Sequence, residues 1–241
     1  MNLFAEKLVA IFAAGQECQT DQRHIFMKKL PAHQVIYRRI RDKILFGELQ
    51  PGQSVTIHGF VDEFGCSMTP VREAIRRLTA AGALSFQGNR RVSVPAVSEK
   101  QFSEVGFARL ALEPRLAEMA TPNVQKTDIA ALRAEDDALD RAIGHGDVKG
   151  YMQHNYRFHF MLYDRSGSDV LRPLAEALWL RHGPLARIIC GKHGTGNLVD
   201  RHKDVLAALD AGDVDAVAAA IRSDIEQGLA VVLESEGWRL I

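Results

Sequence analysis

The tightest constraint on the fold lies between residues 56 and 82, where two short amphipathic stretches are separated by a sharp turn. Thr56 is placed to cap a helix that carries Phe60, Val61 and Phe64 on one face and stops at Gly65. Cys66-Ser67-Met68 form the turn, Thr69 caps the next helix, and Pro70 opens it where a missing N–H costs nothing. Val71, Ala74, Ile75 and Leu78 then recur at helical spacing, and the chain leaves at Gly82. Two helices this short need a third to cover their apolar faces. The run from Ala32 supplies it, with Val35, Ile36, Ile40, Ile44 and Leu45 on one side and Gly47 and Pro51-Gly52 as its stop. The pattern predicts a helix-turn-helix whose second helix opens with exposed arginines.

Beyond Gly82 the period changes. Leu84–Gln87 and Val92–Pro95 flank the turn Gly88-Asn89-Arg90, which reads as a β-hairpin, a wing with Arg90 and Arg91 near its tip. After Ser98 the period is helical throughout, with candidate helices near 99–120, 126–144, 147–165, 168–189, 197–211 and 213–235. Short connections between them predict an antiparallel bundle of about six helices. The expected fold class is therefore mainly α: a winged helix-turn-helix over 30–97 and an all-helical domain over 98–241. Residues 1–29 read as an extension: loose, or an over-called start ahead of Met27-Lys28-Lys29, or a weakly docked amphipathic helix over Leu3–Ala13.

Charge supports that division. The 241 residues carry 30 Lys and Arg against 30 Asp and Glu, and a balanced chain would ordinarily argue against a polyanionic partner. The charge is unevenly spread, however. Residues 27–97 hold eleven basic and five acidic residues, a net +6, whereas 98–241 hold 17 and 22, a net −5. Such asymmetry points to a polyanion-binding half joined to something else. Cys18, Cys66 and Cys190 are scattered and odd in number, so neither a disulfide framework nor a cysteine zinc site is indicated, and a reducing cytoplasmic setting fits. Neither an export signal nor a membrane-length apolar run is found.

The segments Arg41-Asp42-Lys43-Ile44-Leu45-Phe46-Gly47-Glu48-Leu49-Gln50-Pro51-Gly52 and Gly65-Cys66-Ser67-Met68-Thr69-Pro70-Val71-Arg72-Glu73-Ala74-Ile75-Arg76-Arg77-Leu78 resemble the winged helix-turn-helix of GntR-family transcriptional regulators. Arg109-Leu110-Ala111-Leu112-Glu113, Phe158-His159, and His202 through Gly212-Asp213 continue the likeness into the all-helical FCD ligand-binding domain of the FadR subgroup. The resemblance spans roughly 30–235 and implies a homodimeric, ligand-responsive regulator, most often a repressor, acting on a palindromic double-stranded operator.

It also assigns roles to residues. Thr69, Arg72 and Arg76 are expected in the major groove, where arginine reads guanine bidentately. Arg41, Ser67 and Thr69 suit phosphate positioning, and Asn89, Arg90 and Arg91 suit the wing's contact with backbone or minor groove. Met68 and His58 stand where the family usually has arginine, and Arg91 where the wing usually has glycine, so the operator is expected to differ from the subgroup's common sequence. In the family a divalent metal is held by an Asp or Asn four residues before the Phe-His histidine, by that histidine, and by two later histidines. Asn155, His159 and His202 occupy three of these positions, and Asp224 occupies the fourth in place of histidine. Two imidazoles, an amide oxygen and a carboxylate suit Zn²⁺, Ni²⁺ or Mn²⁺. The spacing alone equally accommodates a hydrogen-bonded core His159 and a solvated Asp224.

A small organic acid is the expected effector, with Arg109 as its first cationic contact and Arg181 or Arg187 as the second. Arg109 can instead pair with Glu113 one turn on. A metal-dependent hydrolase using the bundle site is the alternative from a different class. It is disfavoured because no general base, nucleophile elbow or phosphate loop accompanies the site, and a hydrolase has no use for the basic half.

Overall fold

The computed structural model describes residues 31–87, 91–193 and 199–238. Among them the chain begins with α1 (Ala32–Leu45), a two-residue strand β1 (Ser54–Val55), α2 (Ile57–Phe64) and α3 (Met68–Ala80). The hairpin strands β2 (Ser85–Gln87) and β3 (Arg91–Ser93) follow. The core of this domain is Ile36, Ile40, Ile44 and Leu45 of α1 against Phe60 of α2 and Val71, Ala74, Ile75 and Leu78 of α3, all buried as the periodicity predicts. Val35 is the exception and is exposed, because Ile36, Ile40 and Ile44 alone keep to one face.

Two local details differ from expectation. Thr56 does cap α2, its side chain accepting from Gly59 N, and Gly65 ends the helix with φ 61°. By contrast α3 begins at Met68 with Ser67 as its N-cap, placing Thr69 and Pro70 inside the first turn. Pro70 is tolerated there because the N–H groups of a first turn have no intrahelical acceptor. The wing is also part of a three-stranded antiparallel sheet of order β1-β3-β2, in which Val55 pairs with Val92 and Phe86 with Val92 on the other side. Two residues are too short to show a period, so β1 leaves no sequence signal.

The second part is helical: α4 (Glu99–Ala120), a 3₁₀ turn at Thr121–Asn123, α5 (Lys126–Gly144), α6 (Val148–Asp164), α7 (Leu171–His193), α8 (Arg201–Ala211) and α9 (Val214–Glu236). These match the six predicted segments to within a few residues. Ser98 opens α4 with a capping box to Gln101. Helix α4 packs on α9, α7 and α6, α5 on α6, and α8 on α9. Phe158 and Leu162 of α6, Val205 and Leu206 of α8 and Val217, Ile221, Ile225 and Leu229 of α9 close the bundle core. No helix among the described residues is long and apolar enough to cross a membrane.

Helix α7 is the principal seam between the two parts. Glu176 accepts from Arg41 of α1 at 2.8 Å, from Tyr156 of α6 at 2.8 Å, and through its other oxygen from Arg172 at 2.8 Å. Further along α7, Arg181 donates to Ala81 O just past α3, and Gly183 approaches so closely that a Cβ there would lie 2.5 Å from Leu45 O.

Candidate functional site

The centre of the bundle brings together residues from three helices. His159 Nε2 lies 3.1 Å from Asp224 Oδ2 and 3.4 Å from His202 Nε2, with His159 and His202 buried. What surrounds them fixes their protons. Tyr163 donates its O–H to Glu113 Oε2 at 2.7 Å, so its oxygen accepts from His159 Nδ1 at 3.0 Å. His202 Nδ1 faces Asp136 Oδ1 at 3.2 Å, and a carboxylate can only accept. Both histidines therefore carry their proton on Nδ1 and turn the Nε2 lone pair inward, toward each other and toward Asp224. Three acceptors facing one point are relieved either by a second proton on His159 Nε2 or by a metal ion between them.

The spacing fits a metal. With ligand bonds of about 2.0–2.1 Å, the edge of a tetrahedral zinc site is about 3.3 Å, close to both observed separations. Asp136 is the kind of carboxylate that ligating histidines usually engage through their outer nitrogen, and Glu113 stands one hydrogen bond further out, behind Tyr163. Burial opposes ionisation of Asp224, yet the hydrogen bond and charge that His159 offers when its Nε2 is also protonated, with His202 and Arg109 beyond, hold its pKa down to about 2. Asn155, on α6 one turn before His159, lines the adjoining cavities with Asp224. His154 turns away and pairs with Glu135 at 2.7 Å.

A cavity of about 80 Å³ continues from Asp224 and Asn155 between α4, α6, α7 and α9. Arg109 lines it while binding Glu113 through Nε and Nη2, so the pairing and the cavity-lining readings of Arg109 hold together. Glu113 is fully buried and also receives Trp179 Nε1 at 3.0 Å. Arg181, expected as a second cationic contact for an effector, does not line the cavity. Arg181 is turned to the DNA-binding part, and the side chain of Arg187 lies outside the described residues.

At the other end of the molecule Thr69, Arg72 and Arg76 share one exposed face of α3, with Ser67 exposed just before it and Met68 half-buried. Arg76 is forked on Glu73 at 2.9 and 3.1 Å, whereas Arg72 has no ion pair among the described residues. Arg91 is exposed at the start of β3; Asn89 and Arg90 lie outside the described residues. The notable departure is Arg41. Its guanidinium is held between Asp42 and Glu176, facing the bundle in place of a phosphate, and its side chain is only 18% exposed. Arg39 and Arg77 lie over the rings of Phe64 and Tyr37 at 4.1 and 4.0 Å, so part of the basic excess serves packing.

Comparison with known proteins bears directly on this architecture. The model of bacterial regulatory proteins of the gntR family matches residues 32–94, and the FCD domain model matches residues 104–227. The chain belongs to the GntR family. Among its relatives, the HTH-type transcriptional regulator McbR of Escherichia coli is 28% identical over 198 residues, covering 81% of this chain and 90% of that protein. The HTH-type transcriptional repressor RspR of Escherichia coli is 24% identical, covering 82% and 87%. The solved structure of E. coli McbR/YncC superposes with a TM-score of 0.80 at 26% identity, covering 86% of this chain and 99% of that one. Family and relatives are transcriptional regulators, not enzymes.

For this GntR-family regulator, sequence reasoning named the inner cluster of His159, His202 and Asp224 and missed the residues around it. Asp136, Tyr163, Trp179 and His182 were not singled out. Tyr163 had a usable signal, one turn after His159 on the same face. The others come from different helices, and no spacing could connect them.

Proposed function

We propose that this regulator is a homodimeric repressor whose FCD domain binds a divalent metal and, next to it, a small carboxylate effector that lowers affinity for a palindromic operator. The observation that carries the metal is the convergence of two inward Nε2 lone pairs and a carboxylate oxygen, with both outer nitrogens already committed to acceptors. His159, His202 and Asp224 would hold the ion, with Asn155 beside them; Zn²⁺, Ni²⁺ and Mn²⁺ all accept this donor set. Bound there, it supplies a Lewis-acidic position for a carboxylate, and Arg109 lines the cavity that such a ligand would fill.

The DNA-binding domain is taken as residues 30–97 and the effector and dimerisation domain as 98–241. Thr69, Arg72 and Arg76 carry base reading. Ser67, Met68 and the wing residues Asn89, Arg90 and Arg91 carry register on the duplex.

The test is elemental analysis of protein purified without chelator, with His159→Ala alongside. About one equivalent of metal in the wild type and none in the variant is expected. A metal-free wild type that also gains no thermal stability from added Zn²⁺, Ni²⁺ or Mn²⁺ overturns the metal reading. For the DNA half, affinity for a selected duplex should fall steeply with salt while keeping its sequence preference.

A further inference from the structure

The metal and Arg109 leave one polar group of the cavity wall unexplained. His182, on α7, lines the cavity and is only 9% exposed, and its Nδ1 is buried without a hydrogen-bond partner among the described residues. Such an orphaned nitrogen carries an uncompensated desolvation cost. Burial, reinforced by the charge of Arg109, pushes its pKa down to about 3, so the ring is neutral. Beside a neutral imidazole and a cationic Arg109, an ammonium is not favoured. An uncharged oxygen is: a hydroxyl serves either tautomer, and a carbonyl serves the Nδ1–H form.

The neighbours of His182 give that contact a consequence. Arg181 donates to Ala81 O at 3.2 Å, gripping the C-terminal end of the recognition helix α3, and covers Gly82. Gly183 abuts Leu45 O at the C-terminal end of α1. Pro184 comes next within α7 and has no N–H for the carbonyl of Leu180, so the helix is weakened at this turn. Nδ1 is closed off from water, and a ligand can reach it only by turning the imidazole or displacing this turn.

We propose that His182 reads an uncharged oxygen substituent, hydroxyl or carbonyl, on a small carboxylic acid, and that the turn Arg181–Pro184 transmits this contact to the ends of α1 and α3. The inference rests on the carboxylate reading above and adds the second polar group of the ligand and the route to the DNA-binding helices. The cavity is small, about 80 Å³, which favours a compact acid.

The test uses full-length protein saturated with Zn²⁺ and three probes of equal chain length: butanoate, 2-hydroxybutanoate and 2-oxobutanoate. Binding is followed by the fluorescence of Trp179 in the cavity wall, and the response of the DNA-binding part by amide exchange across residues 78–84. At least one oxygen-bearing acid should bind ten-fold or more tighter than butanoate and change exchange at 78–84. His182→Leu should reduce the preference to near unity while butanoate still binds. His182→Gln, which keeps a hydrogen-bonding group, should retain part of it and guards against a folding defect in the leucine variant. Arg181→Gln should bind the same acid without the exchange response. Comparable binding of all three acids, or a preference that survives His182→Leu, overturns the assignment of His182 and leaves the carboxylate reading intact. An unchanged exchange response in Arg181→Gln overturns the transmission route. Failure of all three acids to bind overturns both readings together.

Discussion

Replacing Tyr163 by phenylalanine separates a metal centre from an ordinary buried histidine cluster. The Tyr163 hydroxyl is the pivot between Glu113 and His159, donating at 2.7 Å and accepting at 3.0 Å. Its loss leaves the Nδ1–H of His159 unpaired at a residue of 0% exposure, a cost of about 1–3 kcal/mol. Glu113 keeps Trp179 Nε1 at 3.0 Å and Arg109, so the carboxylate itself remains neutralised. For a chain of this size the loss corresponds to a fall in Tm of about 2–12 °C without metal. The variant frees His159 to move its proton to Nε2, the nitrogen that faces Asp224 and His202. Metal affinity should then fall about 10- to 100-fold, as for other lost supports of a ligating histidine. The assay is a chelator competition for Zn²⁺, paired with thermal unfolding of the metal-free protein. Wild-type metal affinity in a variant that is destabilised as expected would refute the reasoning, because it would show that the tautomer of His159 is not what the hydroxyl controls.

Four further outcomes follow from other parts of the structure. Glu176→Gln weakens the join of α1 to α7: with Glu176 and Arg41 side chains 14% and 18% exposed, the loss lies between that of surface and buried pairs, about 2 kcal/mol in urea unfolding. Arg72→Ala should leave the unfolding midpoint unchanged, since the side chain is exposed and unpaired among the described residues, yet cost about 1–3 kcal/mol at one base pair of each half-site in a binding titration. Arg91→Ala should weaken all duplexes alike and reduce the salt slope by about one, and a sequence-selective loss would contradict its phosphate role. Gly183→Ala places a methyl 2.5 Å from Leu45 O and should destabilise by about 1–3 kcal/mol, read by thermal unfolding; an unaffected Tm would show that α7 has room to retreat from α1.

The amino-acid sequence by itself determined the helix-turn-helix, the wing and the six bundle helices, because each is written in local terms. A cap, a stop glycine and an apolar stripe at 3.6-residue spacing act within one element, and Thr56, Gly65 and the Val71–Leu78 stripe behave as their neighbours dictate. Local reasoning also placed His159, His202 and Asp224 as a set through resemblance to a family pattern. Only the tertiary structure decided what these groups meet. Arg41 and Arg181 look on the sequence like cations available for phosphate or carboxylate, yet each finds an acceptor across the seam, Glu176 135 residues away and Ala81 O 100 residues away. Asp136 reaches His202 from 66 residues away and Glu113 reaches Tyr163 from 50, and those contacts fix which nitrogen of each histidine is left to bind. A charge or a tautomer depends on the nearest partner in space, and helix packing, rather than spacing along the chain, supplies that partner.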